Sequence, residues 1–594
     1  MTTISRRQMT LEELLNKYDS PDKKKFAYYE LSRELSELPE AEQLREETQS
    51  EFLAFSFQDN AGNPWSTFFG PTTVWTKKDT GEEVYHPDMK DITPKDICRW
   101  ENRASLTSNP LLKIRYLGLL IDFQKTVTGH EPDFQNVKIP YIKSLIDTVK
   151  EGYPKYELSG YTYLELAMDL SRSYKQDKLF KEAQKVLWEH DHKFSKDEFA
   201  GYWGRHFRIM LKHLEKYEDY ESQLVQEHEE RFEKLYKQAI EYGDKTDKYI
   251  HILFDQCELL CDYYKVKEDA EQIEAHLNKV YKALKCSFKL KGGLWAQGML
   301  HMLQTRYRKY NMNKSANRLY IDIQNIGASV FESMQKQEFE TDIDKEQLEA
   351  YINTIIDGEP HEVIVKFILR NIPQIDIERQ RQKEEAEQSP LLDMINTVVF
   401  DSTGIPINNI GAGKDTEHQK LMYGMYRRML ISSIFLKLEI EKMEEAKLFT
   451  KESIIKIFDG SPLIEEGHRK MFERGIEAYF AKDYLVACHL LIPQFEAAIR
   501  NLKVLLGGEV VRADKKPEEG NQYISLDGLL NSKELNDFFD ESTLTYFKNL
   551  FTEQCGWNLR NLTSHGLLDT TAFNETMANR IVHAFMILSE IKIN

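Results

Sequence analysis

The chain has 594 residues and a formal net charge of −18, with 79 Lys and Arg against 97 Asp and Glu. Apolar residues supply 41% and charged residues 30%, which excludes long disordered stretches; the acidity excludes a non-specific nucleic-acid coat, because phosphate neutralisation needs clustered cations. With only 28 Gly and 17 Pro, turn formers are scarce, so the expected class is all-α, in several units rather than one core.

The first residues, MTTISRRQMTLEELL, lack the apolar stretch of a leader and read as a helix start, with Thr10 as N-cap and Glu13 three residues on. No apolar run approaches the roughly twenty residues of a membrane-spanning helix, so a cytoplasmic protein with no membrane partner is expected. TLEELLNKY and FAYYELSRELSEL predict two helices. Residues 51–95 carry aromatics, Gly and Pro at turn spacing and predict a short hairpin or an ordered loop. Helical periodicity resumes at 109–123, NPLLKIRYLGLLIDF, with Pro110 in a first-turn position. Residues 1–125 are thus expected to form an N-terminal helical region with a loop or hairpin insert.

Residues 126–372 predict a helical-repeat-like domain. Between Tyr161 and Phe339, Leu166, Ala167, Leu170 and Tyr174, then Ala183 and Leu187, suggest paired helices that small residues allow to approach closely. The period is irregular, so a degenerate helical-hairpin array and a large irregular helical domain both stay open. Cys257 and Cys261, spaced i,i+4, are expected as buried small hydrophobes, since no second Cys or His pair follows at ligand spacing. Six cysteines make no disulfide framework. Residues 373–420 read as linker and loops: QIDIERQRQKEEAEQ is a solvated helix or linker, and DSTGIPINNIGAGKDTEHQK is loop-like. A last helical unit spans 421–594.

Gly411-Ala-Gly-Lys414 invites a phosphate-loop reading and fails it. Asn408 stands where the first Gly belongs, and Asp415 stands where Ser or Thr would hold magnesium. Neither a metal nor a cofactor is expected. The remaining constellation is GWNLRNLTSHG, with Arg560, Asn561 and His565 followed by Gly566, and Asn558 beside them as a further supporting candidate. Arg, four residues and His is a weak pattern alone: Arg208 and His213 repeat it inside an apolar, ordinary-looking helix. Polar Asn561 and the following Gly566 distinguish the second copy. Upstream, LLIPQFEAAIR carries Glu496 and Arg500 at i,i+4, either a local ion pair or, if that helix packs on the Arg560 segment, a carboxylate that orients it.

Arg, a polar residue, a short spacer and His in a helical bundle resembles the HEPN superfamily. The longer match, LLIPQFEAAIR with GWNLRNLTSHG, is similar to a bacterial domain-of-unknown-function branch with an RNxxxHG signature, and NPLLKIRYLGLL resembles the helical N-terminal region of those proteins. The resemblance implies a C-terminal HEPN-like bundle over 421–594 that cleaves RNA without metal. Arg560 and His565 would be catalytic, and Asn561 supporting. It also implies a homodimer in which two motifs face each other, a role in phage defence or toxin biology, and a possible regulatory protein partner. Some members lack activity, so a non-enzymatic scaffold with an HEPN-like dimerisation domain is the alternative.

The chemistry suits the residues. RNA carries its nucleophile in the ribose 2′-hydroxyl; an imidazole can move protons near neutrality, and a guanidinium offers a planar fork of donors to phosphate oxygens. Residues five apart on a helix lie about 140° apart around its axis, so Arg560 and His565 do not share a face, whereas Asn561 and His565 do. A two-fold partner would supply the missing half. The structural alternative is that His565 followed by Gly566 only caps and ends a turn while Arg560 pairs with Glu496.

Overall fold

Helices carry this chain, and the described strands form four short antiparallel pairs, so the protein is all-α. The structure, a computed structural model, describes all residues except 1–8, 21, 39–45, 60–63, 78–79, 197–201, 218, 243–246, 336–343, 390–395, 402, 412–415, 514–519 and 592–594. Two compact units divide it: Met1–Lys291 with Met299–Asn317, and Gly292–Gly298 with Arg318–Asn594. No described helix is long and apolar enough to cross a membrane.

In the first unit, helix Leu11–Asp19 opens on the expected capping box, Thr10 and Glu13 each bonding the other's backbone N–H. Helices Tyr28–Ser36 and Glu46–Ser56 follow, the latter taking in the first residues of the aromatic stretch. Strand pairs Gln58–Asp59 with Phe69–Gly70 and Thr73–Thr76 with Glu83–His86 come next. Helix Pro110–Thr128 begins where Asn109 accepts the Leu111 N–H, with Pro110 in the first turn, and ends at Gly129 in the left-handed region. Buried Glu51 ties this region together, accepting from Arg99 Nε at 2.9 Å and Tyr116 Oη at 2.6 Å.

Helices Ile139–Lys150, Glu157–Ser173 and Asp177–Phe194 each pack on the next, as do Glu221–Tyr242, Asp247–Val266 and Ala270–Lys291. Ala167 and Ala183 are fully buried, and a Cβ at Gly160 would lie 2.6 Å from the His190 ring, so small residues set the helix spacing. The core stripe of Glu157–Ser173 is Leu164, Ala167, Met168 and Ser171, one helical face; Leu166 and Leu170 are only half-buried. Cys257 and Cys261 are fully buried with sulfurs 3.8 Å apart, and burial holds the Cys257 thiol well above its ordinary range.

In the second unit, residues 373–420 hold helix Ile375–Gln388, the strand pair Thr397–Phe400 with Pro406–Ile410, and the start of helix Glu417–Glu445. The charged Ile375–Gln388 helix is pinned by buried Ile375, by Glu378 to Arg428 Nε at 2.6 Å, and by a forked pair from Arg379 to Glu541. Gly411 directly follows the second strand, and 412–415 lie outside the described residues.

Helices Glu417–Glu445, Glu466–Phe480, Tyr484–Leu505, Glu541–Phe551 and Glu575–Ser589 share one core. Phe495 stacks on Phe551 at 4.1 Å between ring centres and meets Phe585 at 5.7 Å. Met577 to Leu588 is buried without a break, making Glu575–Ser589 the central helix. It buries three polar side chains within that apolar run, Asn579, Arg580 and His583, and Asn579 accepts from Tyr479 Oη at 2.7 Å. Arg580 donates to Ser432 Oγ, Ser433 Oγ and the carbonyls of Asn371 and Met429, while His583 bridges Tyr546 Oη and the Ile368 carbonyl. Burial, with Arg580's charge beside it, pushes His583 down to about 3, so its ring is neutral.

Candidate active site

The Arg560 segment is placed by the turn before it. Asn549 is fully buried; its amide donates to the Met422 carbonyl at 2.7 Å, and its own carbonyl accepts the Trp557 N–H at 2.8 Å. A Cβ on Gly556 would sit 2.3 Å from that carbonyl, so only glycine allows the turn to close this tightly. Asn558 then takes a left-handed conformation, φ 51°, which Asn tolerates better than most residues, and starts helix Leu559–Ser564. Trp557 and Leu559 anchor the segment in the core.

This places Arg560 against the middle of helix Tyr484–Leu505. Glu496 accepts from Arg560 Nε through one carboxylate oxygen and from Arg500 Nη2 through the other, both at 2.9 Å. Both readings of Glu496 therefore describe its geometry, one carboxylate joining the local i,i+4 partner and the distant guanidinium. The three side chains are 14–28% exposed. Such a pair is worth more than a surface bridge because less water screens it. Arg560 Nη1 reaches Asn561 Oδ1 at 3.3 Å, leaving the Nη2 edge without a hydrogen bond to the described residues. Asn561 donates to Asn558 Oδ1 at 2.8 Å, bracing the turn. Arg500 also donates to the Ile524 carbonyl and lies 5.4 Å from the centre of the exposed Tyr523 ring.

His565 stands apart from this chain of bonds. Its N–H closes the last helical turn onto the Asn561 carbonyl, and Gly566, φ 64°, ends the helix. The Leu567 N–H reaches the Leu562 carbonyl and the Gly566 N–H reaches the Thr563 carbonyl, the left-handed termination that glycine serves best. Gly566 thus has a backbone reason to be glycine. The His565 ring is exposed and bonds no described residue. The structure brings Arg560, Glu496, Arg500, Asn561 and Asn558 into one network and leaves His565 outside it, at the far end of the same short helix.

The open side of Tyr484–Leu505 carries Val486, His489, Pro493, Glu496, Arg500 and Val504 in one stripe. His489 is exposed and packs on Phe573 at 4.6 Å, so the chain after His565 runs back along this helix. The spacing of His489, Pro493, Glu496 and Arg500 along one helical face is the signal in the sequence for His489. Among the described residues no group of three or more His, Cys, Asp or Glu could hold a metal ion.

Compared with protein-family models, with curated proteins and with solved structures, the chain matches none.

Proposed function

We propose that residues 421–594 form a HEPN-type endoribonuclease domain in which Arg560 and His565 act on RNA. One observation carries the reading: Asn558, Arg560 and Asn561 are tied to local partners, whereas the exposed His565 ring bonds no described residue, and it lies five residues from a guanidinium held by Glu496 with one edge open. Motif residues that packing or capping does not explain are the ones that chemistry must.

In this proposal an imidazole takes the proton of a ribose 2′-hydroxyl, whose oxygen attacks the adjacent phosphorus. The bond from phosphorus to the 5′-oxygen breaks, and a second, protonated imidazole gives that oxygen its proton. The products are a 2′,3′-cyclic phosphate and a 5′-hydroxyl. The open edge of Arg560 donates to the phosphoryl oxygens, where charge gathers as the bond order changes. Glu496 fixes the guanidinium plane before substrate arrives. Because Arg560 turns inward and His565 outward within one chain, we place the second Arg and His on a two-fold-related copy. Exposed Val486 and Val504, on the open stripe of Tyr484–Leu505, support such a contact.

The test uses two inactive variants. Arg560→Ala and His565→Ala homodimers should each fail to cleave single-stranded RNA, and a heterodimer of wild-type and His565→Ala chains, which keeps one imidazole of the two, should be as inactive as the His565→Ala homodimer. A heterodimer that cleaves RNA rejects the composite site. An active His565→Ala protein rejects the nuclease assignment itself.

A further inference from the structure

In the first unit, helices Tyr28–Ser36, Glu46–Ser56 and Glu157–Ser173 enclose a cavity of about 890 Å³, within the size range of small-molecule sites. Its walls include Tyr28, Phe52, Phe55, Tyr156 and Tyr163, and its lining includes one carboxylate, Asp59. Asp59 is held by Arg115, which is 0% exposed. That guanidinium gives Nη1 to Asp59 Oδ1 at 2.8 Å, Nε to the Ala54 carbonyl and Nη2 to the Phe57 carbonyl, and it stacks against Phe69 and Tyr28. The cation faces inward and serves a single carboxylate.

Two fully buried acids in this protein differ. Glu51 accepts from Arg99 on one oxygen and Tyr116 on the other; Glu439 accepts from Tyr351 and Asn371; both are 0% exposed. These are closed structural pairs. Asp59 engages one oxygen, and its side chain remains 29% exposed among the cavity-lining residues. A fold that buries a whole arginine to orient a carboxylate, then leaves half the carboxylate open beside aromatic rings, has built an acceptor for something else.

From this juxtaposition we infer that the cavity binds a small molecule with a flat ring body and an N–H donor head, the ring lying among the aromatic walls and the donor on Asp59 Oδ2. Two sources share this chemistry: an aminated nucleobase, which donates as a neutral ring, and an aryl amidine or amine, which donates as a cation. The exposed Arg33 lies among the lining residues and suits a substituent bearing acceptor oxygens. This inference is independent of the RNA-cleavage reading.

Calorimetric titration of the full chain with guanosine, benzamidine and benzoate tests it. Guanosine or benzamidine should bind, and benzoate, the same flat ring with an acceptor head, should bind at least tenfold more weakly. Guanosine alone assigns the neutral donor, and benzamidine alone the cation. Asp59→Asn should weaken the binding at least tenfold. Because that change strips Arg115 of its charge partner, Ser159→Trp serves as a second variant that fills the cavity without touching the pair, and it should remove the heat of binding. Binding of neither donor probe, equal binding of benzoate, or unchanged binding in Ser159→Trp overturns the inference.

Discussion

Arg208 and His213 have the same spacing as Arg560 and His565, yet the two segments are turned opposite ways. In helix Arg205–Lys212 the intervening Ile209 and Met210 are buried and draw the turn into the array. His213 goes in with them, 2% exposed, its Nε2 3.3 Å from Asp169 and its ring edge-on to Phe180, while Arg208 faces outward. In helix Leu559–Ser564 only Leu559 is buried; the guanidinium turns inward to Glu496 and the imidazole is left outside. A spacing motif states which residues are near each other along the chain. The apolar or polar character of the residues between decides which of the pair meets solvent.

That contrast can be broken experimentally. The largest expected effect is on His565: His565→Ala should lower RNA cleavage by about 10²–10⁴-fold, the usual worth of a proton-transfer group. His213→Ala should leave cleavage within twofold and instead cost about 1–3 kcal/mol of stability, seen as a lower Tm. Equal loss of activity in both variants would erase the distinction. Arg560→Ala should lower the rate by about 10²–10³-fold, as losing one oxyanion donor does, with Arg208→Ala near wild type. Glu496→Gln keeps the shape and removes the charge that holds the guanidinium, so the rate should fall on the order of tenfold, in kcat more than KM. An unchanged kcat would make Glu496 a packing partner only.

The smallest effect concerns a third histidine. His583 is neutral in the fold because burial pushes it down to about 3 from an ordinary value near 6.5. A folded pKa below the unfolded one gives stability that is present above about pH 6.5 and lost as pH falls toward 3. Denaturant titrations between pH 6.5 and 5 should therefore show a decline of up to about 1.4 kcal/mol per pH unit from this group. His583→Gln should flatten that slope; an unaltered slope would mean other groups set it.

Much of the helical order was legible. Thr10 with Glu13 and Asn109 with Pro110 give side-chain partners to backbone N–H groups that a helix start leaves unpaired, and both starts are where the sequence puts them. The core stripe of Glu157–Ser173 was displaced by two residues, Leu164 and Met168 for Leu166 and Leu170, because leucines populate more than one face of that helix and only packing selects between them. At the candidate site, Glu496 and Arg500 were readable as an i,i+4 pair. Their meeting with Arg560, 64 residues on, depends on the Gly556 turn closing over Asn549, which no local pattern encodes. Arg580 and His583 were hidden for a related reason: in TMANRIVHAFMIL they look like two interruptions of an apolar run, and their partners, Ser432, Ser433, Tyr546 and the Asn371 and Ile368 carbonyls, come from three other helices or their ends.

The most direct test of the RNA reading is the chemistry of the product ends. Single-stranded RNA incubated with the full chain in EDTA, then read by mass spectrometry, should yield fragments ending in 2′,3′-cyclic phosphate and beginning with 5′-hydroxyl, with none formed by His565→Ala. Intact RNA, fragments with 3′-hydroxyl and 5′-phosphate ends, or the same products from His565→Ala would contradict it.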